Sequence, residues 1–276
     1  MPSVKLICIT SIRSLHIGKV FKTFNETINM KKIVFALVIA FTLLGCGRPP
    51  LDKPAINNLK SESLQVGQQD TIFNFTDRFP NNAQIAFALI KDGQTTYYGI
   101  MRKNDNLTTI HNSDKAFEIG SITKVFTATI LANLVMDGRL KLDDRINAKF
   151  DYPFNKNIEF TYKELANHTS GLPRLPSNMR FAAIFNPSDP YKNYDDKKLD
   201  DYLKNDVSLD YPKGSKSEYS NLGMGLVAYT MRKASGRSFE ELAKEMIFDK
   251  YKMTHSSSDK TKVADILVEG LNDRGK

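Results

Sequence analysis

The chain has 276 residues, 41% hydrophobic and 25% charged, the composition of an ordinary globular protein of one or two domains. Its net charge of +8 is concentrated early: residues 1–45 hold six basic residues and one acidic, and the remaining 33 basic against 30 acidic residues leave +3. No basic stripe interleaved with aromatics follows, so nucleic acid is not an expected partner.

The N-terminal region reads as a processing signal. Met30-Lys31-Lys32 is a short basic stretch, and the apolar run from Ile33 to Leu44 is too short to span a bilayer comfortably. It ends Leu43-Leu44-Gly45-Cys46, which resembles the bacterial lipoprotein box, whose cysteine carries the lipid. The reading that follows is a signal peptide over 30–45 and an exported, cell-envelope lipoprotein attached to a membrane through Cys46. Residues 1–29 are then an upstream extension from a misplaced start codon. The polar stretch over 46–70, opening Gly47-Arg48-Pro49-Pro50, is expected to be an extended tether. With Cys8 in the extension and Cys46 lipidated, no thiol is left for a disulfide.

Residues 71–276 are expected to hold the folded domain. Ala83–Ile90 is a strand, closed by the turn Lys91-Asp92-Gly93-Gln94, with Thr95–Met101 as its hairpin partner. A helix starts near Ser121 and ends around Met136-Asp137-Gly138, with Gly138 suited to the position just past the end. A short helix is expected at Thr161–Asn167, where Thr161 and Glu164 can form a capping box. Residues 187–206, dense in Asp, Lys and Tyr, read as a solvated and partly helical excursion. Further helices run over Leu222–Ala234, stopping at Ser235-Gly236, and over Ser238–Ile247, with Ser238 and Glu241 as a capping box.

Two short motifs carry chemistry. Ser121-Ile122-Thr123-Lys124 puts a hydroxyl and an ammonium one turn apart on one helix face, the arrangement an acyl-transfer nucleophile needs. The competing reading is that Ser121 caps the helix and Lys124 is solvated. A second match, Ser257-Ser258-Asp259-Lys260, lies in a polar stretch with no helix behind it. The other motif is Tyr219-Ser220-Asn221. A tyrosine serves as general base or acid when a lysine ammonium lowers its phenol pKa, and an asparagine amide can bond both that lysine and a substrate carbonyl. Tyr-x-Asn also recurs, at Tyr191-Lys192-Asn193. The four histidines, His16, His111, His168 and His255, show no ligand spacing, and neither a metal nor another cofactor is expected.

Taken together, Phe117–Thr127, Thr161–Pro173 (with Asn167-His168-Thr169-Ser170-Gly171-Leu172-Pro173) and Pro212–Thr254 resemble the class C beta-lactamase and penicillin-binding-protein family of serine hydrolases. The resemblance implies an α/β (α+β) fold of the beta-lactamase/transpeptidase-like kind. An antiparallel sheet flanked by helices joins a mostly helical lobe, with the nucleophile helix at their junction. It also implies Ser121 as the nucleophile, Lys124 as its partner, Tyr219 and Asn221 as the second motif, and His168 as a structural residue fixing a loop. The family's third motif, Lys/His-x-Gly on a strand that supplies an oxyanion donor, has no match after Asn221. The domain is therefore expected to be truncated, with its C-terminal strands missing.

The resulting expectation is a membrane-tethered serine hydrolase that forms an acyl-enzyme at Ser121. Lys124 and Tyr219 share the proton transfers and Asn221 orients lysine and substrate. The substrate is a small molecule or peptide: a beta-lactam, a D-alanyl peptide, or a simple ester or amide. The alternative is a non-catalytic penicillin-binding-like remnant that has lost turnover with the third motif.

Overall fold

The computed structural model describes residues 54–61, 64–179, 191 and 193–271. The expected upstream extension over 1–29, the expected signal peptide over 30–45, Cys46 and the first residues of the expected tether lie outside the described residues. The described chain divides into two compact units, one of residues 54–113 with 269–271 and one of Asp114–Val268.

The first unit is a four-stranded sheet with one helix. Strands β1 (Ile56–Asn58), β2 (Gln84–Lys91), β3 (Gln94–Lys103) and β4 (Asn106–Ile110) lie in the order β1-β4-β3-β2, and helix α1 spans Val66–Thr76. Both hairpins are closed by two residues at positive φ, Asp92 (51°) with Gly93 (75°) and Asn104 (48°) with Asp105 (60°). That geometry matches the twist of the flanking strands. The β2–β3 hairpin pairs Lys91 with Gln94 and Gln84 with Met101, close to its sequence-derived limits. β2, β3 and β4 are antiparallel as expected, whereas β1 joins β4 in parallel.

β1 and the first turns of α1 correct the tether expectation for residues 56–70. Ala55, Leu59, Leu64 and Ile72 pack on Tyr98, Ile100 and Leu107, so this polar-looking stretch is held by a few well-spaced apolar side chains. Arg102, only 1% exposed, is the other surprise of this unit. Its guanidinium donates to the Asp77 carbonyl (2.5 Å) and to Asp105 Oδ1 (3.2 Å), which compensates the charge that burial would leave unpaired.

The second unit is mostly helical: α2 (Thr123–Met136), α3 (Tyr162–Ala166), α4 (Asp196–Asn205), α5 (Asn221–Ser235) and α6 (Phe239–Ala243). The helix expected over Ser238–Ile247 is α6 continued by a π-helical turn at Lys244–Phe248. The capping boxes Thr161/Glu164 and Ser238/Glu241 both form, and Gly236 ends α5 at φ 69°. The core gathers Phe126, Ile130, Leu131 and Leu134 of α2, Leu222, Leu226, Val227 and Met231 of α5, and Phe154, Phe160, Tyr162 and Leu165. α4 corrects the solvated reading of residues 196–206. Its Tyr202 and Leu203, with Val207 just after, are buried in this same core. The charged residues form only the outer face of an amphipathic helix.

Candidate active site

Ser121 sits in a 3₁₀ turn, Gly120–Ile122, that leads into α2, and it is not the helix cap. Gly120 enters that turn at φ 51°, a conformation that favours glycine. The capping reading of Ser121 is thereby replaced. The α2 N-terminus has no side-chain cap, and the Ser121 hydroxyl points to other partners.

Those partners are the two predicted ones. Lys124 Nζ donates to Ser121 Oγ at 3.2 Å, and Tyr219 OH donates to the same oxygen at 2.6 Å. Lys124 Nζ also lies 4.7 Å from the centre of the Tyr219 ring. Burial by itself would push the Tyr219 phenol up. The Lys124 ammonium, the Ser121 hydroxyl and, further off, Arg174 outweigh it and hold the phenol below the usual tyrosine range.

Tyr219 is delivered by a pair of hydrogen-bonded loops. The segment from His168 to Arg174 runs beside residues 210–222. Glu218 N donates to His168 O (2.8 Å), Gly214 N to Thr169 O (2.8 Å), Asp210 N to Gly171 O (2.8 Å) and Asn221 N to Arg174 O (3.0 Å). Ser220, to which the sequence assigned no role, is the N-cap of α5. Its hydroxyl accepts from Gly223 N at 2.9 Å and donates to the Pro173 carbonyl at 2.7 Å. A serine three residues before Gly223, at the head of an apolar helical run, was the available signal.

His168 is structural in this arrangement, as expected. It adopts φ 60°, its Nδ1 accepts the Ser220 backbone N–H at 3.2 Å, and its ring lies 5.0 Å from that of Tyr219. Burial and the Lys124 ammonium hold its pKa down, which suits an imidazole whose Nδ1 must stay an acceptor.

Asn221 is not where the motif placed it. Its amide nitrogen donates to Tyr191 OH at 3.0 Å, and its buried Oδ1 has no hydrogen-bond partner among the described residues. As the first residue of α5, it is set by the Ser220 cap and by its own N–H on the Arg174 carbonyl. These constraints leave it off Lys124. The decoy at Ser257 is tied up elsewhere. Its hydroxyl donates to Glu240 Oε1 (2.7 Å), and Ser258 and Lys262 share that carboxylate. Burial opposes it, but these bonds pull the Glu240 carboxyl down to about 2.

Comparison with known proteins agrees with this geometry. The beta-lactamase family model matches residues 76–269. The chain is 26% identical over 268 residues to Beta-lactamase-like protein 2 of Dictyostelium discoideum, covering 89% of this chain and 46% of that protein. It is 29% identical over 170 residues to the D-alanyl-D-alanine-carboxypeptidase/endopeptidase AmpH of Escherichia coli K12, covering 59% and 42%. In structure it is similar to the octameric penicillin-binding protein homologue of Pyrococcus abyssi (TM-score 0.59, 25% identity, 77% of this chain and 50% of that one). A class C beta lactamase shares the fold at TM-score 0.55 and 20% identity, over 75% of this chain and 55% of that one. The chain spans about half, or less, of the length of these relatives. With the family model covering most of the chain and Ser121, Lys124 and Tyr219 converging within it, the chain belongs to the beta-lactamase family.

Proposed function

We propose that this chain carries a serine hydrolase site that works through an acyl-enzyme at Ser121. The supporting observation is that Lys124 Nζ and Tyr219 OH both donate to one oxygen, Ser121 Oγ. In this resting state Oγ accepts both bonds. For attack, Tyr219 first loses its proton to bulk water. The phenolate, steadied by Lys124, takes the Ser121 hydroxyl proton as Oγ bonds to the substrate carbonyl carbon. The C=O π pair moves onto its oxygen, to re-form the carbonyl when the leaving group departs. The same phenol then returns that proton to the departing nitrogen or oxygen as the acyl C–N or C–O bond breaks. Water hydrolyses the ester by the reverse sequence. Candidate acyl donors are beta-lactams, D-alanyl peptides and simple esters or amides, with Asn221 as a contact for the substrate amide.

The test is intact-mass analysis after exposure to a penicillin and to an activated ester. One acyl adduct is expected on the wild-type chain and none on Ser121→Ala. An adduct that survives the substitution, or maps to Ser257, refutes the assignment.

The second part of the reading is attachment to a membrane through a lipid on Cys46. It is supported by the basic Met30-Lys31-Lys32, the apolar run Ile33–Leu44 and the small Gly45 before Cys46. Among the described residues no helix is long and apolar enough to cross a membrane. A fatty-acid analogue fed to expressing bacteria should label the wild-type chain and not Cys46→Ser. Equal labelling of both would contradict the attachment.

A further inference from the structure

Tyr219 is met by a group that the acyl-transfer scheme does not employ. The Arg174 guanidinium carbon lies 5.1 Å from the centre of the Tyr219 ring. Arg174 is exposed and, among the described residues, makes no ion pair and no side-chain hydrogen bond. Among the described residues Arg78, Arg102, Arg145, Arg232 and Arg237 each have a carboxylate partner, whereas Arg174, like Arg139, has none, which leaves its guanidinium charge available to the Tyr219 ring. Its backbone is nevertheless fixed. The Arg174 carbonyl accepts from both Asn221 N (3.0 Å) and Leu222 N (3.2 Å), which ties it to the segment that carries Tyr219.

We infer that Arg174 is a positioning residue for the proposed reaction, set on the Tyr219 ring so that its charge favours the phenolate that receives the Ser121 proton. The inference rests on Tyr219 being the base. A cation beside a neutral phenol gains only the ring's quadrupole attraction, whereas beside a phenolate it gains a full charge–charge term. That difference biases the ionisation, and it survives in reduced form at an exposed site.

Among the described residues, the groups facing Tyr219 fix the sign. They are Lys124 from α2, the Ser121 hydroxyl from the 3₁₀ turn, the His168 ring, and Arg174 from the loop after it. Two are cations, and His168 is held neutral as long as its Nδ1 accepts from Ser220. Among the described residues no carboxylate acts on the phenol. Removing Arg174 therefore leaves one cation to do the work of two.

The measurement is an ultraviolet difference titration of phenolate in the wild-type chain, Arg174→Gln, Arg174→Met and Arg174→Lys, each with and without Tyr219→Phe. The step that disappears with Tyr219→Phe belongs to Tyr219. It should rise by about half a pH unit in the Gln and Met variants and return in Arg174→Lys, and the difference should shrink as salt is raised. An unmoved step in both neutral variants overturns the inference. So does an unmoved step accompanied by a raised KM for anionic acyl donors alone, which would make Arg174 a substrate anchor. The structural contacts of Arg174 are made by its carbonyl, so the variants should fold, and near-ultraviolet circular dichroism checks this. The titration needs no turnover. A chain that titrates as described but never forms an adduct refutes the hydrolase reading and, with it, the role of Arg174 in that reaction, leaving only its effect on the Tyr219 phenol. An unmoved step beside a normal adduct refutes the Arg174 inference alone.

Discussion

Lys124→Met will slow acylation of Ser121 by about 10³-fold, and Tyr219→Phe will do the same, within the range expected for a positioned general base. The double substitution will cost little more than the worse single one. The reason is geometric. Lys124 Nζ contacts Ser121 Oγ at 3.2 Å and lies 4.7 Å from the Tyr219 ring, so one ammonium serves both the nucleophile and its base. Once either member is gone, the other has no proton to move or no partner to favour its charged form, and groups acting as a unit show non-additive losses. Single-turnover acylation by an activated ester, followed by intact mass, measures all three variants. Losses that multiply would show two independent contributions, and a Lys124→Met variant within a few-fold of wild type would reduce the lysine to a solvated neighbour.

The second large effect is on stability. Gly171 adopts φ 75°, and a Cβ placed there would stand 2.1 Å from the Tyr211 carbonyl oxygen. Gly171→Ala therefore combines left-handed strain of about 1–2 kcal/mol with a backbone clash of about 1–3 kcal/mol. A loss of about 3 kcal/mol, or about 10 °C in the melting midpoint, is expected. The internal control is Gly225→Ala. Gly225 is exposed within α5, an added Cβ would meet nothing within 4 Å, and helix propensity predicts a gain of up to about 1 kcal/mol. Thermal melts of the two variants should move in opposite directions. If Gly171→Ala melts with the wild type, the tight approach of the 168–174 loop to Tyr211 is not a constraint. Acylation should fall with it, since that loop sets His168 and Arg174 against Tyr219.

What the sequence revealed follows a physical division. Features fixed by neighbours in the chain were readable: the Asp92-Gly93 hairpin, the Thr161/Glu164 and Ser238/Glu241 boxes, the Gly236 stop, and the three-residue spacing of Ser121 and Lys124. Features fixed by distant contacts were not. α1 exposes Val66 and Phe75 and buries only Ile72 and Thr76, a pattern too weak to announce a helix without the sheet beneath it. Asp196–Asn205 looked solvated because its charges outnumber the two side chains, Tyr202 and Leu203, that reach the core. For Ser121 local preference left capping and catalysis both open, and only the distant contact with Tyr219 decides between them. Arg174 carries no motif at all. Its relation to Tyr219, 45 residues on, exists only once the two loops are paired.

The hydrogen bond between Tyr219 and Ser121 joins residues 98 positions apart. Between them lie α2, α3, α4 and the paired loops, all of which must be in place before the phenol reaches the serine. Closing so long a stretch of chain is entropically costly and comes late, after local helices have formed. A nascent or partly folded chain could hold the Ser121–Lys124 turn intact and still have no base beside it. Reactivity toward an acylating probe thus becomes a clock for the last stage of assembly. In a refolding experiment, adduct formation should lag behind helix formation, and the length of that lag would time the closure of the lobe.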